Sequence, residues 1–199
     1  MMQRRVAILI SGGGSNMEAL VRAMGPDHPA RPVLVLSDRA GAGGIIRARA
    51  LGVPVAVVER AACATRADFE AALQAELERA GADLLCLAGF MRVLSPGFVG
   101  QWQGRALNIH PSLLPHHPGL DTHARALAAG DAEAGCTVHE VTAELDAGPV
   151  LGRARVKVLP DDTAGSLAAR VLEMEHRLYP AVLERFAKGD RRLVELAPG

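Results

Sequence analysis

Short aliphatic, β-branched runs alternate with alanine-rich segments along the first two thirds of the chain, and this alternation limits the fold more than any other feature. The runs predict five strands: Arg5–Ile10, Val33–Ser37, Val53–Val58, Asp83–Ala88 and Ala106–Ile109. Three intervening segments have helical spacing: Asn16–Met24, Ala42–Leu51 and Arg66–Ala80. Strands that alternate with helices in this way form a parallel sheet with helices on both faces.

The last third of the sequence has a different pattern. Thr137–Val141 and Val150–Val158 are predicted to be strands on either side of a Gly148-Pro149 turn, which indicates an antiparallel addition to the sheet. Asp162 or Thr163 precedes a helical pattern that runs to about Ala187, with a kink expected at Pro180. The sequence therefore predicts an α/β fold: an open, mostly parallel, Rossmann-like sheet with helices on both faces and antiparallel strands in the C-terminal third.

Charge and composition exclude several classes of partner. Lys and Arg total 22, as do Asp and Glu, so the formal net charge is zero and no basic run favours nucleic acid or an anionic membrane surface. No apolar stretch approaches the roughly 18 residues that a membrane span needs. Three widely separated cysteines suggest neither a disulfide framework nor a CxxC metal site, which favours a reducing cytoplasm. We expect one domain over residues 1–199, because no repeat, low-complexity tract or linker interrupts the chain.

A glycine-rich turn, Ser11-Gly-Gly-Gly-Ser-Asn16, joins the first strand to the first helix. Glycines allow a ligand to approach the backbone, and the amides at a helix N-terminus attract phosphate. The turn has neither the GxGxxG ending nor the Walker lysine, so a single phosphate suits it better than a dinucleotide or a triphosphate. The alternative interpretation is a tight turn without a ligand.

Asn108-Ile-His110-Pro111 ends the fifth predicted strand. Side chains two residues apart on a strand point to the same face, so Asn108 and His110 are expected to emerge together at the edge where open α/β sheets bind ligands. An amide donor and a protonated imidazole both stabilise an oxyanion, and an imidazole also exchanges protons near neutral pH. This pair is suited to acyl transfer.

Asp146 lies in a loop between the two late strands. If that loop folds over His110, the carboxylate would favour the imidazolium and accept a proton from an attacking amine through water. By default, such an Asp is only a turn former. Five histidines fall within thirty residues, but there is no HExxH motif and no cysteine at ligand spacing, so we predict no metal site; the five are His110, His116, His117, His123 and His139.

Four motifs together resemble the phosphoribosylglycinamide formyltransferase family, the folate-dependent GAR transformylases of de novo purine synthesis. They are Ile-Ser-Gly-Gly-Gly-Ser-Asn at 10–16, Ala-Gly-Phe-Met-Arg-Val-Leu-Ser-Pro at 88–96, Asn-Ile-His-Pro-Ser-Leu-Leu-Pro at 108–115 and Leu-Asp-Ala-Gly-Pro-Val at 145–150. Each motif is weak alone, but the set occurs in order over nearly the whole chain. The resemblance implies transfer of the formyl group of 10-formyltetrahydrofolate, a co-substrate, to the amine of glycinamide ribonucleotide.

The resemblance also implies site residues. It implies catalysis by Asn108, His110 and Asp146, and contact with glycinamide ribonucleotide through Gly14, Ser15, Asn16 and Glu175. For the folate it implies Arg66, whose guanidinium suits a glutamate carboxylate, together with Met91, Arg92, Val93, Leu94 and Asn108. The phosphate-binding part would span about residues 1–100 and the folate-binding, catalytic part about 101–199. The protein would act as a monomer or a homodimer.

Three other functions share parts of this pattern. A formyltetrahydrofolate hydrolase has the Asn-Ile-His core, but it usually carries an N-terminal regulatory domain, for which the glycine turn at residue 11 leaves no room. A methionyl-tRNA formyltransferase is expected to be longer and to have a basic tRNA-binding surface. A mononucleotide-binding regulatory module explains the glycine turn but leaves Asn108 and His110 without a role.

Overall fold

The computed structural model describes residues 3–197, and the chain divides into two compact units. One unit extends to Leu107 and the other begins at Asn108. Two statements from the sequence stay predictions: a single domain over residues 1–199, and a division of that domain near residue 100 into a phosphate-binding part and a catalytic part.

The first unit is built on parallel strands in the order β3-β2-β1-β4, followed by the start of β5. Val6 to Ile10 of the central strand β1 are fully buried, as expected where helices cover both faces of a parallel sheet. The backbone N–H of Leu85 donates to the Arg105 carbonyl at 2.9 Å, beside the start of β5. The strands are β1 (Arg4–Ile10), β2 (Ala30–Ser37), β3 (Val55–Val57), β4 (Leu84–Leu87) and β5 (Ala106–His110).

The helices of this unit have identifiable start signals. Thr65 and Asp68 form a reciprocal capping box at the start of α3, and Ser95 caps α4 with Pro96 in the first turn. The three predicted helices are confirmed, with ends displaced by at most one residue. The short helix α4 was not predicted, because six residues are too few to show periodicity. The helices are α1 (Ser15–Ala23), α2 (Gly43–Ala50), α3 (Arg66–Arg79) and α4 (Pro96–Gln101).

In the second unit the strand order is the end of β5, then β6 (Glu133–Glu140), β7 (Val150–Lys157) and β8 (Val194–Leu196). The antiparallel pairing of β6 with β7 confirms the predicted addition to the sheet. The strand β8 runs parallel to β7 and was not predicted, because three residues carry too little alternation.

Two helices complete this unit: α5 (Thr122–Ala129), which was not predicted, and α6 (Ala164–Ala187), which was. Thr163 caps α6, and Pro180 lies inside it. A Cβ at Gly152 of β7 would lie 2.5 Å from Val182 of α6, so glycine permits the close packing of helix on strand. Within residues 3–197, no helix combines the length and the apolar character needed to cross a membrane.

Candidate active site

His110, the last residue of β5, is buried and has acceptors at both ring nitrogens. Its Nε2 lies 3.0 Å from the backbone carbonyl oxygen of His117, and its Nδ1 lies 3.4 Å from Oδ2 of Asp146. Since a carbonyl oxygen can only accept, Nε2 carries the N–H that donates to His117, and Nδ1 faces the carboxylate of Asp146.

Asp146 lies in the loop before β7, with a side chain only 6% exposed and a φ of 54°. Its Oδ2 accepts a hydrogen bond from the backbone N–H of Gly119 at 3.0 Å and also faces His110. The loop therefore does fold over His110, as the sequence-based hypothesis required. A left-handed backbone at a residue that bears a side chain is often retained at functional sites.

Asn108 contacts His139, a histidine for which the sequence suggested no role except that of a possible metal ligand. The Nδ2 of Asn108 lies 3.2 Å from Nε2 of His139 on β6. The other ring nitrogen of His139, Nδ1, lies 2.9 Å from the Glu140 carbonyl, which fixes Nδ1 as a donor and Nε2 as an acceptor. A neutral His139 thus accepts one N–H of the Asn108 carboxamide and orients it. Nothing in the sequence spacing could have shown this contact.

The pKa of His139 is lowered from its ordinary value, chiefly by burial, although the Glu140 carbonyl and the charge of Asp146 oppose the shift. An unfolded histidine titrates near pH ~6.5. Below that pH the unfolded chain takes up a proton that the folded His139 resists, so we expect acid to destabilise the wild type relative to His139→Gln, by at most about 1.4 kcal/mol per pH unit. Urea unfolding at pH 5.5, 6.5, 7.5 and 8.5 measures the difference. The difference in free energy of unfolding between the wild type and His139→Gln should be constant above pH ~7.5. The same difference at all four pH values would contradict the prediction.

The glycine turn leads directly into α1. Gly14 precedes the helix with a φ of 75°, and no side chain caps the helix, so its first amides face the turn. The N–H of Gly44, in α2, donates to the Gly12 carbonyl at 3.0 Å, and a Cβ at Gly14 would lie 2.7 Å from the Gly44 Cα. Gly14 therefore needs to be glycine for two reasons: its backbone conformation and the approach of α2.

We expect Gly14→Ala to lower the free energy of unfolding by roughly 1–3 kcal/mol, because the new Cβ is both conformationally unfavourable and too close to Gly44. Gly12→Ala is the matched control, since nothing lies within 4 Å of its Cβ position and its φ is not positive. Its change should stay within about 0.5 kcal/mol. Urea titrations compare the two, and equal midpoints would refute the packing argument.

The segment after β4 contacts the glycine turn. The N–H of Met91 donates to Oγ of Ser11 at 2.8 Å, and Arg92 forms an ion pair with the buried Asp38. Met91 and Val93 are 62% and 67% exposed, so their apolar side chains are accessible to a ligand. Leu94 differs from its neighbours in being buried.

Two further predicted site residues, Arg66 and Glu175, lie on helices. Arg66 starts α3, and its Nε donates to Oε1 of the buried Glu70 at 3.0 Å while about half of its side chain stays exposed. Glu175 is buried on α6, close enough to Cys136 of β6 that its charge, together with the larger effect of burial, raises the pKa of that thiol. Across the described part of the chain, no three His, Cys, Asp or Glu side chains are grouped as metal ligands would be.

This fold, with an amide, an imidazole and a carboxylate converging at the end of β5, is that of a formyl transferase. The profile of the family described as "Formyl transferase" matches residues 4–183, and the chain belongs to this family. It is 44% identical over 193 residues to the phosphoribosylglycinamide formyltransferase of Escherichia coli (strain K12), covering 96% of this chain and 91% of that protein. It is 55% identical to the crystal structure of the phosphoribosylglycinamide formyltransferase from Brucella melitensis, with a TM-score of 0.90, covering 94% of this chain and 96% of that one.

Longer relatives contain the same region. The chain is 45% identical over 190 residues to the "Trifunctional purine biosynthetic protein adenosine-3" of Drosophila melanogaster, but it spans only 14% of that protein's length. The family, the formyltransferase class and the α/β fold predicted from the sequence are confirmed by these matches. The roles of the individual site residues stay predictions.

Proposed function

We propose that this protein transfers the formyl group of 10-formyltetrahydrofolate to the amine of glycinamide ribonucleotide in de novo purine biosynthesis. One observation carries the proposal: His110 lies between Asp146 and a backbone carbonyl on the unit in which Asn108 is oriented by His139. The motifs that resemble the family imply both substrates. The 44% identity to the phosphoribosylglycinamide formyltransferase of Escherichia coli supports the same acceptor and the same transferred group.

The proposed reaction is a direct attack. The amine lone pair forms the new C–N bond at the formyl carbon, and the formyl oxygen gains negative charge. The second N–H of the Asn108 carboxamide and the Nδ1–H of His110 stabilise that charge. The 3.4 Å separation of Nδ1 from Asp146 is longer than an ordinary N–H···O bond, which supports Nδ1 as the donor that turns to the oxyanion.

Proton transfer completes the reaction. Asp146 accepts the amine proton through water, while its charge stabilises the imidazolium. The oxyanion then re-forms the C=O bond, the bond from the formyl carbon to N10 of the folate breaks with its electron pair staying on N10, and N10 takes up through water the proton that Asp146 had accepted. No covalent enzyme intermediate is needed, because Ser112 lacks the strained Gly-x-Ser-x-Gly setting of a nucleophile.

Binding roles follow from the same proposal. The uncapped start of α1 supports a phosphate site at Gly14, Ser15 and Asn16, and the exposed Met91 and Val93 support an apolar contact for the pterin. The proposed contacts also include Glu175 for the acceptor and Arg66, Arg92 and Leu94 for the folate. We propose a cytoplasmic monomer or homodimer without a metal or nucleic-acid partner.

An absorbance assay that follows release of tetrahydrofolate from 10-formyltetrahydrofolate, with and without glycinamide ribonucleotide, tests the proposal. Release that depends on the acceptor is expected. Release at the same rate without acceptor would make the protein a hydrolase, and binding of the acceptor with no release at all would make it a regulatory module.

A further inference from the structure

The segment His117–Gly119 contacts both members of the His110–Asp146 pair. The carbonyl of His117 faces Nε2 of His110 at 3.0 Å, and the N–H of Gly119 donates to Oδ2 of Asp146 at 3.0 Å. The segment belongs to no helix or strand, so no regular backbone ladder fixes these two groups. Other contacts must set their positions.

The side chain of His117 supplies one such contact. Its Nε2 lies 2.6 Å from Oδ2 of Asp131, and the two side chains are 17% and 35% exposed. His117 has a φ of 51°, a left-handed conformation that is unfavourable for any residue with a side chain. The contact with Asp131 therefore stabilises a backbone conformation that the chain would otherwise tend to leave, and with it the direction of the carbonyl.

Asp131 is itself held at a fixed place. It follows Gly130, which ends α5 in the left-handed conformation, and its backbone N–H donates to the Ala126 carbonyl at 3.1 Å. This is the hydrogen-bond pattern of a helix C-terminus closed by glycine. The end of α5 thus gives His117 a rigid partner.

We infer that His117 and Asp131 are positioning residues: their contact holds the His117–Gly119 segment so that its carbonyl and its amide fix the His110 ring and the Asp146 carboxylate for reaction. The inference rests on the proposed function for its kinetic consequences. It concerns His110 and Asp146 alone and does not depend on where either substrate binds.

Three variants separate positioning from general stabilisation. Asp131→Ala removes the acceptor and should lower kcat about 10-fold to 100-fold, with KM for both substrates within about threefold, because misplaced catalytic groups slow the chemical step more than they weaken binding. Asp131→Asn keeps an oxygen that accepts from His117, and its kcat should stay within about threefold of wild type. Glu133→Ala, which breaks the neighbouring Arg155–Glu133 ion pair, is the control and should change kcat less than about twofold.

Nitrogen-15 NMR of the histidine side chains gives a second readout that needs no activity. The Nε2 resonance of His110, assigned by its loss in His110→Ala, should shift in Asp131→Ala but not in Asp131→Asn or Glu133→Ala. If Asp131→Ala does not fold, His117→Phe, which keeps the ring volume but removes the hydrogen bond, takes its place in both measurements.

Two results would overturn the inference: an unchanged His110 resonance in Asp131→Ala, or equal losses of kcat in Asp131→Ala and Asp131→Asn. A wild-type protein that transfers no formyl group to glycinamide ribonucleotide would instead refute the proposed function. The NMR comparison would still decide the positioning role in that case.

Discussion

His110→Ala is expected to lower kcat by about a hundredfold to a thousandfold, the usual effect of removing one oxyanion donor. The imidazole is also the group that faces both Asp146 and the His117 carbonyl, so its loss removes both of these contacts. KM for both substrates should change much less, because the imidazole is proposed to interact chiefly with the charge that develops in the transition state. Steady-state kinetics with 10-formyltetrahydrofolate and glycinamide ribonucleotide measure the split.

His116→Ala is the matched control for this experiment. His116 lies in the same proline-rich segment but is exposed, and we expect kcat within about twofold of wild type. A His110→Ala enzyme with near-normal turnover would end the proposed mechanism. A comparable loss in both variants would show that the segment, and not the His110 imidazole, limits the rate.

Asp146→Asn is expected to lower kcat by roughly a hundredfold, a magnitude typical of losing a general base. The substitution removes the charge that balances the imidazolium and the group proposed to take the amine proton. It retains an oxygen that accepts the Gly119 N–H, so the loop should keep its conformation. The loss should therefore appear in kcat while the urea midpoint changes little.

Glu144→Gln removes one charge from the same loop at an exposed side chain and serves as its control. Turnover in that variant should stay within about twofold of wild type, because an exposed charge is screened by water and salt. If Asp146→Asn turned over as fast as Glu144→Gln, the proposed proton transfer through Asp146 would be wrong.

Local pattern was enough for most of the secondary structure. The run Val6–Ile10 could be assigned to a strand because five consecutive apolar residues before a glycine turn suit a strand that is buried on both faces. The start of α6 could be placed within a residue because Thr163 is a good N-cap. Three elements were missed: α4, α5 and β8. They are too short to show a clear periodicity in the sequence, and short elements depend on tertiary contacts for their stability.

Only part of the candidate site could be predicted from local sequence pattern. Asn108 and His110 are two residues apart on one strand, so their proximity followed from the period of the strand. Asp146 is 36 positions after His110. From the sequence, its contact with His110 could be stated only on the condition that the loop folds over His110. The orientation of Asn108 by His139, and the contact of His117 with Asp131, gave no signal in the sequence.

The sequence alone determined the alternation of strands and helices, the glycine turn, the Asn108–His110 pair and the family. The first three depend on residues close together in the chain, where backbone geometry fixes the spacing of side chains. The family follows from four short motifs in a fixed order along the chain. Only the tertiary structure decided which acceptors face each nitrogen of His110 and which histidine orients Asn108. Those contacts join residues that the chain separates by 7 to 36 positions, and the path of the loops between them is set by packing and by side-chain hydrogen bonds.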